Sequence, residues 1–370
     1  MPKVPRVPKM PKVYKKDFMN GVRDLSVFQT LGTSNFRHYL REVAMKSFKI
    51  FGWVICFLFG LAALAGGAEY PTRPITLINP MPPGGTLDLQ GRAFASVAEK
   101  ILGQPVVVVN KPGATGMIGG LAGAQAAPDG YTLTVGSVNL TNAIEWEIAN
   151  GRKPPFTRHD FTPICSFTLS PTLLIVHPES PWKTLADFMN DAKAKPGQIV
   201  FCSGGLYGMS HLPIEIFAKA TGLKFRHVPY SGGGPCISAV VGKHVDFGMQ
   251  YPPTSLPLVR GNKLKVLAVV GKNRLKSAPD IPCMKDVGID AEYYGWVGIM
   301  APKKTPQPIV DKLREVAKKV GTDPSFIDLI EKPGDEVHLL IGDEFSKYWD
   351  TESETIGKVQ AELAKEAAKK

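Results

Sequence analysis

The stretch Asn79-Pro80-Met81-Pro82-Pro83-Gly84-Gly85-Thr86-Leu87-Asp88 follows the apolar run Ile75–Ile78 and leads into residues patterned as a helix, with Leu89, Ala93, Val97 and Ile101 spaced four apart. A short apolar run, a glycine turn and a helical period together predict a strand-to-helix unit. The pair Gly84-Gly85 lets the backbone approach a ligand with its N–H groups turned outward. The helix behind it adds unsatisfied donors and a partial positive charge.

The same arrangement recurs three times. NKPGATGMIGG (110–120) follows VVVV (106–109), CSGGLYGMS (202–210) follows IVF (199–201), and PYSGGGP (229–235) follows FRHV (225–228). YTLTV (131–135), LLIV (173–176), VDFGM (245–249), KVLAVV (265–270) and WVGIM (296–300) predict further buried strands. The expected class is α/β with largely parallel sheets, in which such turns gather at the carboxyl ends of the strands. One glycine turn serves a tight connection equally well; four point to an anion site facing two lobes. No GxGxxG or GxxxxGK[ST] motif is present, and no lysine follows Pro83-Gly84-Gly85, so the anion is smaller than a polyphosphate, such as a carboxylate.

A chain of 370 residues with 44% hydrophobic residues exceeds one ordinary domain, and two are expected. Its formal charge of +11 is concentrated at the start: residues 1–68 hold 11 Lys and Arg against 3 Asp and Glu. The remainder is nearly balanced and has no basic stripe with interleaved aromatics, which argues against nucleic acid as a partner. Residues 50–68 are uncharged, follow Lys46 and Lys49, and close on Ala65-Gly66-Gly67-Ala68, the order of a secretory signal. Residues 45–68 are therefore expected to be a signal peptide, the competing reading being an uncleaved anchor. Residues 1–44, with proline at positions 2, 5, 8 and 11, are expected to be a basic extension outside the mature protein.

Cys165, Cys202, Cys236 and Cys283 follow the signal and allow three full pairings, among which the spacing does not choose. No metal or cofactor motif is present, and HExxH and GxSxG are missing. Ser210 and His211 offer a hydrolytic pair or, alternatively, a capping serine beside a cleft histidine.

The segments PGGTLD (83–88), NKPGATGMIG (110–119), AAPDGYTL (126–133), DFTPI (160–164), and VPYSGGGP (228–235) with VVGKHVDFGM (240–249) together resemble the Bug-type receptors of tripartite tricarboxylate transporters, over nearly the whole span from Tyr70 onward. The resemblance implies a two-lobe type II periplasmic binding protein fold with a central ligand cleft and hinge. Lobe 1 would comprise residues 69–168 and 294–370, and lobe 2 residues 169–293. It implies a periplasmic, monomeric receptor, not an enzyme, that uses no cofactor. The receptor would bind a dicarboxylate, tricarboxylate or aromatic acid and hand it to large and small membrane subunits; the alternatives are a sensor for a membrane signalling protein and an exported hydrolase.

Carried onto this sequence, the resemblance puts the ligand's proximal carboxylate against Pro83, Gly84, Gly85, Thr86 and Asp88 and against Pro112, Gly113, Ala114, Thr115 and Gly116. Its distal end would meet Ser203, Gly204, Tyr207, Ser210, Tyr230, Gly232 and Gly233. Leu206 and Tyr207 stand where relatives often have small polar residues, and Thr115 where glycine is frequent. Asn139 and Thr141, just after a strand, are further candidates. Asp88 either meets a ligand donor or ordered water, or stabilises the first turn of its own helix.

Overall fold

The computed structural model describes residues 70–368; the expected signal peptide and basic extension lie outside them. The chain runs β1 (Ile75–Asn79), α1 (Thr86–Leu102), β2 (Val106–Asn110), α2 (Met117–Ala124), β3 (Thr132–Ser137), α3 (Val138–Ala149) and β4 (Phe161–Val176). It continues with α4 (Leu185–Ala194), β5 (Val200–Ser203), α5 (Leu212–Thr221), β6 (Arg226–Pro229), α6 (Gly233–Val241), β7 (Phe247–Gln250), α7 (Pro252–Arg260) and β8 (Lys265–Val270). It ends with β9 (Tyr294–Pro302), α8 (Gln307–Gly321), α9 (Pro324–Glu331), β10 (Val337–Ile341) and α10 (Asp343–Ala367).

Two lobes share one strand. The 16-residue β4 lies between β9 and β10 along its first half and between β7 and β8 along its second. One lobe is built on the order β2-β1-β3-β9-β4, the other on β4-β7-β5-β6. β1 pairs in parallel with β2 and β3, and β5 with β6 and β7, so the four glycine turns leave the carboxyl ends of parallel strands. The sheets are more mixed than the apolar runs suggested: β9, β10, β7 and β8 all run antiparallel to β4. A strand that passes between lobes must be met by the returning chain, and those neighbours run the other way.

The first lobe's core packs Leu77, Phe94, Val135, Phe167, Trp296 and Trp349. The second has apolar layers on both faces of its sheet, Phe188, Phe201, Phe217 and Phe247 on one and Ile237, Val240 and Leu256 on the other. Each fully buried side chain of this size contributes about 1.5–3 kcal/mol of transfer free energy. α1 is fixed against its sheet by Gly91, where a Cβ would stand 2.9 Å from Val135, and it stops at Gly103 in the left-handed region (φ +66°).

Candidate ligand cleft

The four turns meet where the lobes face each other. An inner cavity of about 30 Å³ is lined by Met81, Pro82, Gly85, Thr86, Leu87 and Asn139 from the first lobe and by Gly204, Met209, Ser210, Gly233, Gln250 and Tyr251 from the second. It adjoins an outer groove of about 380 Å³ along Pro112–Gly116, Gly204, Gly205, Tyr230 and Ser231. The inner volume suits one or two waters, so this is a closed cleft.

Backbone contact between lobes makes it closed. A Cβ on Gly85 would lie 3.9 Å from Gly234 N, one on Gly232 2.9 Å from the Pro82 ring, and one on Gly205 2.9 Å from Thr115 Oγ1. Asn139 bridges the gap, its Nδ2 donating to Thr115 O at 2.6 Å and its Oδ1 accepting from Met209 N at 3.0 Å. Trp146 on α3 stacks on Tyr207 across the lobes, with centroids 3.7 Å apart. Thr115 (φ +54°) and Tyr207 (φ +50°) occupy the left-handed region, which explains why glycine suits the Thr115 position.

Asp88 and Thr141 turn away from the cavity. Asp88 is buried, and its carboxylate accepts from Asn79 Nδ2 (3.2 Å), Gly84 N (3.1 Å), Asn110 Nδ2 (2.9 Å) and Arg92 Nε (3.1 Å). Burial acts to raise its pKa, but the hydrogen bonds from Arg92, Asn110 and Gly84 and the Arg92 charge prevail and hold it below the usual carboxylate range. Its donors all belong to the protein, so Asp88 ties the ends of β1 and β2 to the first turn of α1. Thr141 turns to α10, where its Oγ1 accepts from Trp349 Nε1 at 2.8 Å.

The remaining candidates divide by place. Gly85, Thr86, Asn139, Gly204, Ser210 and Gly233 line the inner cavity, while Pro112, Gly113, Ala114, Thr115, Gly116 and Tyr230 line the outer groove. Pro83 and Gly84 are exposed at its edge, and Gly232 packs under Pro82. Ser203 is fully buried behind the turn: its Oγ donates to Gly205 O at 2.9 Å and lies 2.7 Å from His227 Nε2. Burial, then the neighbouring His211 ring, pushes the His227 imidazole down to about 4 despite Glu215. Ser210 and His211 do not pair: Ser210 Oγ accepts from Gly204 N (2.8 Å), and His211 Nδ1 accepts from Tyr207 N (2.8 Å).

Leu87 and Met209, within the expected turns, and Met81, Pro82, Gln250 and Tyr251, outside them, complete the cavity. The strand-end rule covers the last two, since β7 is parallel to β5 and ends on the same side. Cys202 and Cys236 form a disulfide between β5 and the first turn of α6, directly behind both second-lobe turns; Cys165 and Cys283 are buried free thiols. Among the described residues, none that lines the inner cavity is charged, and no three metal-ligating groups come together.

Two lobes joined by a shared strand and closing on a cavity walled by backbone turns define a type II periplasmic solute-binding protein. Residues 91–364 match the receptors of the tripartite tricarboxylate transporter family. The chain belongs to that family, which is one of substrate-binding receptors and not of enzymes. It is 30% identical to protein BugT of Bordetella pertussis over 311 residues, covering 81% of this chain and 95% of BugT. Among solved structures it resembles the periplasmic binding protein BugD, with TM-score 0.71, 29% identity and coverage of 81% of this chain and 99% of that one. It also resembles Rpa4515 of R. palustris, solved with adipate, with TM-score 0.73, 26% identity and coverage of 79% and 98%.

Proposed function

We propose that this protein is a periplasmic receptor, exported by its N-terminal signal, that binds a small organic carboxylate without chemical change and delivers it to the large and small membrane subunits of a tripartite transporter. It acts as a monomer, with residues 69–168 and 294–370 as one lobe and 169–293 as the other. The observation that supports this best is the meeting of glycine turns from both lobes at one closed cavity, with Gly85 set against Gly233 and Gly234. Such a site gains its full set of contacts only on closure, so ligand and closed state stabilise each other. The adipate bound by the related R. palustris protein fits the same chemistry.

Native mass spectrometry of protein purified from the periplasm, without added ligand, tests the reading. The expected result is a small mass adduct, released on denaturation and identified as an organic acid. Turnover of esters or amides by the purified protein, with no acid raising its melting temperature, would defeat it.

A further inference from the structure

The donors of the cleft are distributed unevenly between its inner and outer parts. α1 and α6 both start at the inner cavity, and neither is capped by a side chain. The first-turn N–H groups of Thr86, Leu87, Gly233 and Gly234 therefore have no acceptor within their helices. These two helix starts come from opposite lobes and abut, the Gly85 Cβ position standing 3.9 Å and 4.0 Å from Gly234 N and Gly233 N. Two like partial charges brought this close repel, and an anion between them reverses the sign of the interaction. A separate observation marks the place. Thr86 is only 8% exposed, lines the cavity, and its hydroxyl has no hydrogen-bond partner in the protein.

The rest of the second lobe offers a second anion few N–H groups; at the inner cavity its free donor is the Ser210 hydroxyl, which accepts from Gly204 N. In the turn after β5, Gly204 N donates to Ser210 Oγ (2.8 Å), Gly205 N to Ser203 Oγ (3.3 Å), Tyr207 N to His211 Nδ1 (2.8 Å), Gly208 N to Gly205 O (3.2 Å) and Met209 N to Asn139 Oδ1 (3.0 Å). Gln250 gives its Nε2 to Cys236 Sγ at 3.1 Å and presents its oxygen, an acceptor. Tyr251 Oη donates to Met209 O at 3.3 Å, and Met81, Leu87 and Met209 are apolar. The Gly113–Gly116 turn borders the outer groove, and Gly116 N already donates to Gly113 O at 2.9 Å. A second carboxylate in the inner cavity loses its hydration against methionine and an amide oxygen.

Building on the carboxylate-receptor reading, we infer that one carboxylate is gripped by both lobes at once, between the starts of α1 and α6 with the Thr86 hydroxyl, and that the ligand is a monocarboxylate with an uncharged, largely apolar body reaching toward Tyr230. The anion is then the element that draws the lobes together, and the second lobe sorts ligands by rejecting a distal charge.

The test uses the full mature chain and acids matched in carbon skeleton: butyrate with succinate, hexanoate with adipate, 4-methylbenzoate with terephthalate, and the amide of each monoacid. Calorimetry and thermal shift should show a monoacid at least tenfold tighter than its diacid partner, with the amides failing to bind. Thr86→Val should weaken the monoacid about five- to tenfold without moving the ligand-free melting temperature, and Thr86→Ser should restore it. A diacid that binds as tightly as its monoacid overturns the inference and leaves the carboxylate-receptor reading standing. Amides that bind as well as acids, or a panel in which no acid binds, overturns both. Unchanged affinity in a folded Thr86→Val protein removes the hydroxyl from the site and overturns the proposed grip.

Discussion

Asn139 Oδ1 accepts the backbone N–H of Met209 at 3.0 Å, and this single bond ties the start of α3 in one lobe to the turn after β5 in the other. Because Asn139 Nδ2 also holds Thr115 O at 2.6 Å, the side chain is fixed before the lobes meet. Asn139→Ala should favour the open form, since each buried hydrogen bond contributes about 1 kcal/mol. Small-angle scattering should show a larger mean radius for the ligand-free variant, and the tightest acid of the matched panel should bind about five- to tenfold more weakly. A variant as compact as wild type would assign closure to other contacts.

Gly85 separates site from fold. Its backbone is extended (φ −87°), a conformation any residue adopts, yet the space beyond it ends at Gly233 and Gly234. Gly85→Val should therefore fold normally and obstruct closure, lowering affinity at least tenfold, or about 1.4 kcal/mol. Circular dichroism checks the first half and calorimetry the second.

Asp88 acts on stability. Its folded pKa lies below the unfolded value, so its contribution is present above the unfolded pKa and is lost as pH falls through the folded one. Asp88→Asn should lose about 2 kcal/mol at neutral pH, the scale of hydrogen bonds to a charged group. The gap in melting temperature between wild type and variant should narrow as pH falls below about 4, near the ordinary aspartate pKa. A gap independent of pH would show that shape and not charge holds the turn.

Glu352 predicts the opposite slope. Burial pushes this carboxyl up to about 8, against the hydrogen bonds it receives from Trp296, Tyr348 and Thr141. Over that range the folded state binds more protons than the unfolded state, so stability falls as pH rises from about 4.5 towards 8. Glu352→Gln should flatten the decline, which melting curves between pH 5 and 8 would reveal.

The Cys202–Cys236 bond closes a loop across a sequence separation of 34 and stands behind two cleft turns. Removing it by Cys202→Ser with Cys236→Ser should cost about 2–4 kcal/mol and weaken binding along with stability. Alkylation under denaturing conditions should find Cys165 and Cys283 as the free thiols of the region 70–368. Unchanged affinity at 25 °C in the double variant would limit the bond to stability alone.

The glycine turns were readable because short apolar runs and helical spacing flank each one. β4 was recognised only from Leu173 to Val176. Its first half, FTPICSFTLSP, contains prolines and buried hydroxyls that interrupt the apolar run, and those hydroxyls are satisfied at a distance: Thr168 bonds Gln90 Oε1 at 2.9 Å, and Ser170 bonds Asp335. Gln250 and Tyr251 went unnoticed because the direction of β7 depends on its partner strand, which local pattern does not reveal. Asp88 illustrates the converse. Its motif was plain in the chain, but its donors, Asn79 and Asn110, come from two different strand ends and are assembled only by folding.

The position of β9 between β3 and β4 also orders the making of the protein. β5, β6, β7 and β8 emerge together as a contiguous block, whereas the sheet of the other lobe is missing a central strand until the residues from Tyr294 onward are available. A chain made amino end first thus has all the strands of its second lobe before those of its first. Until then the edges of β3 and β4 wait unpaired, and an unpaired strand edge in a partly folded chain is a template for aggregation.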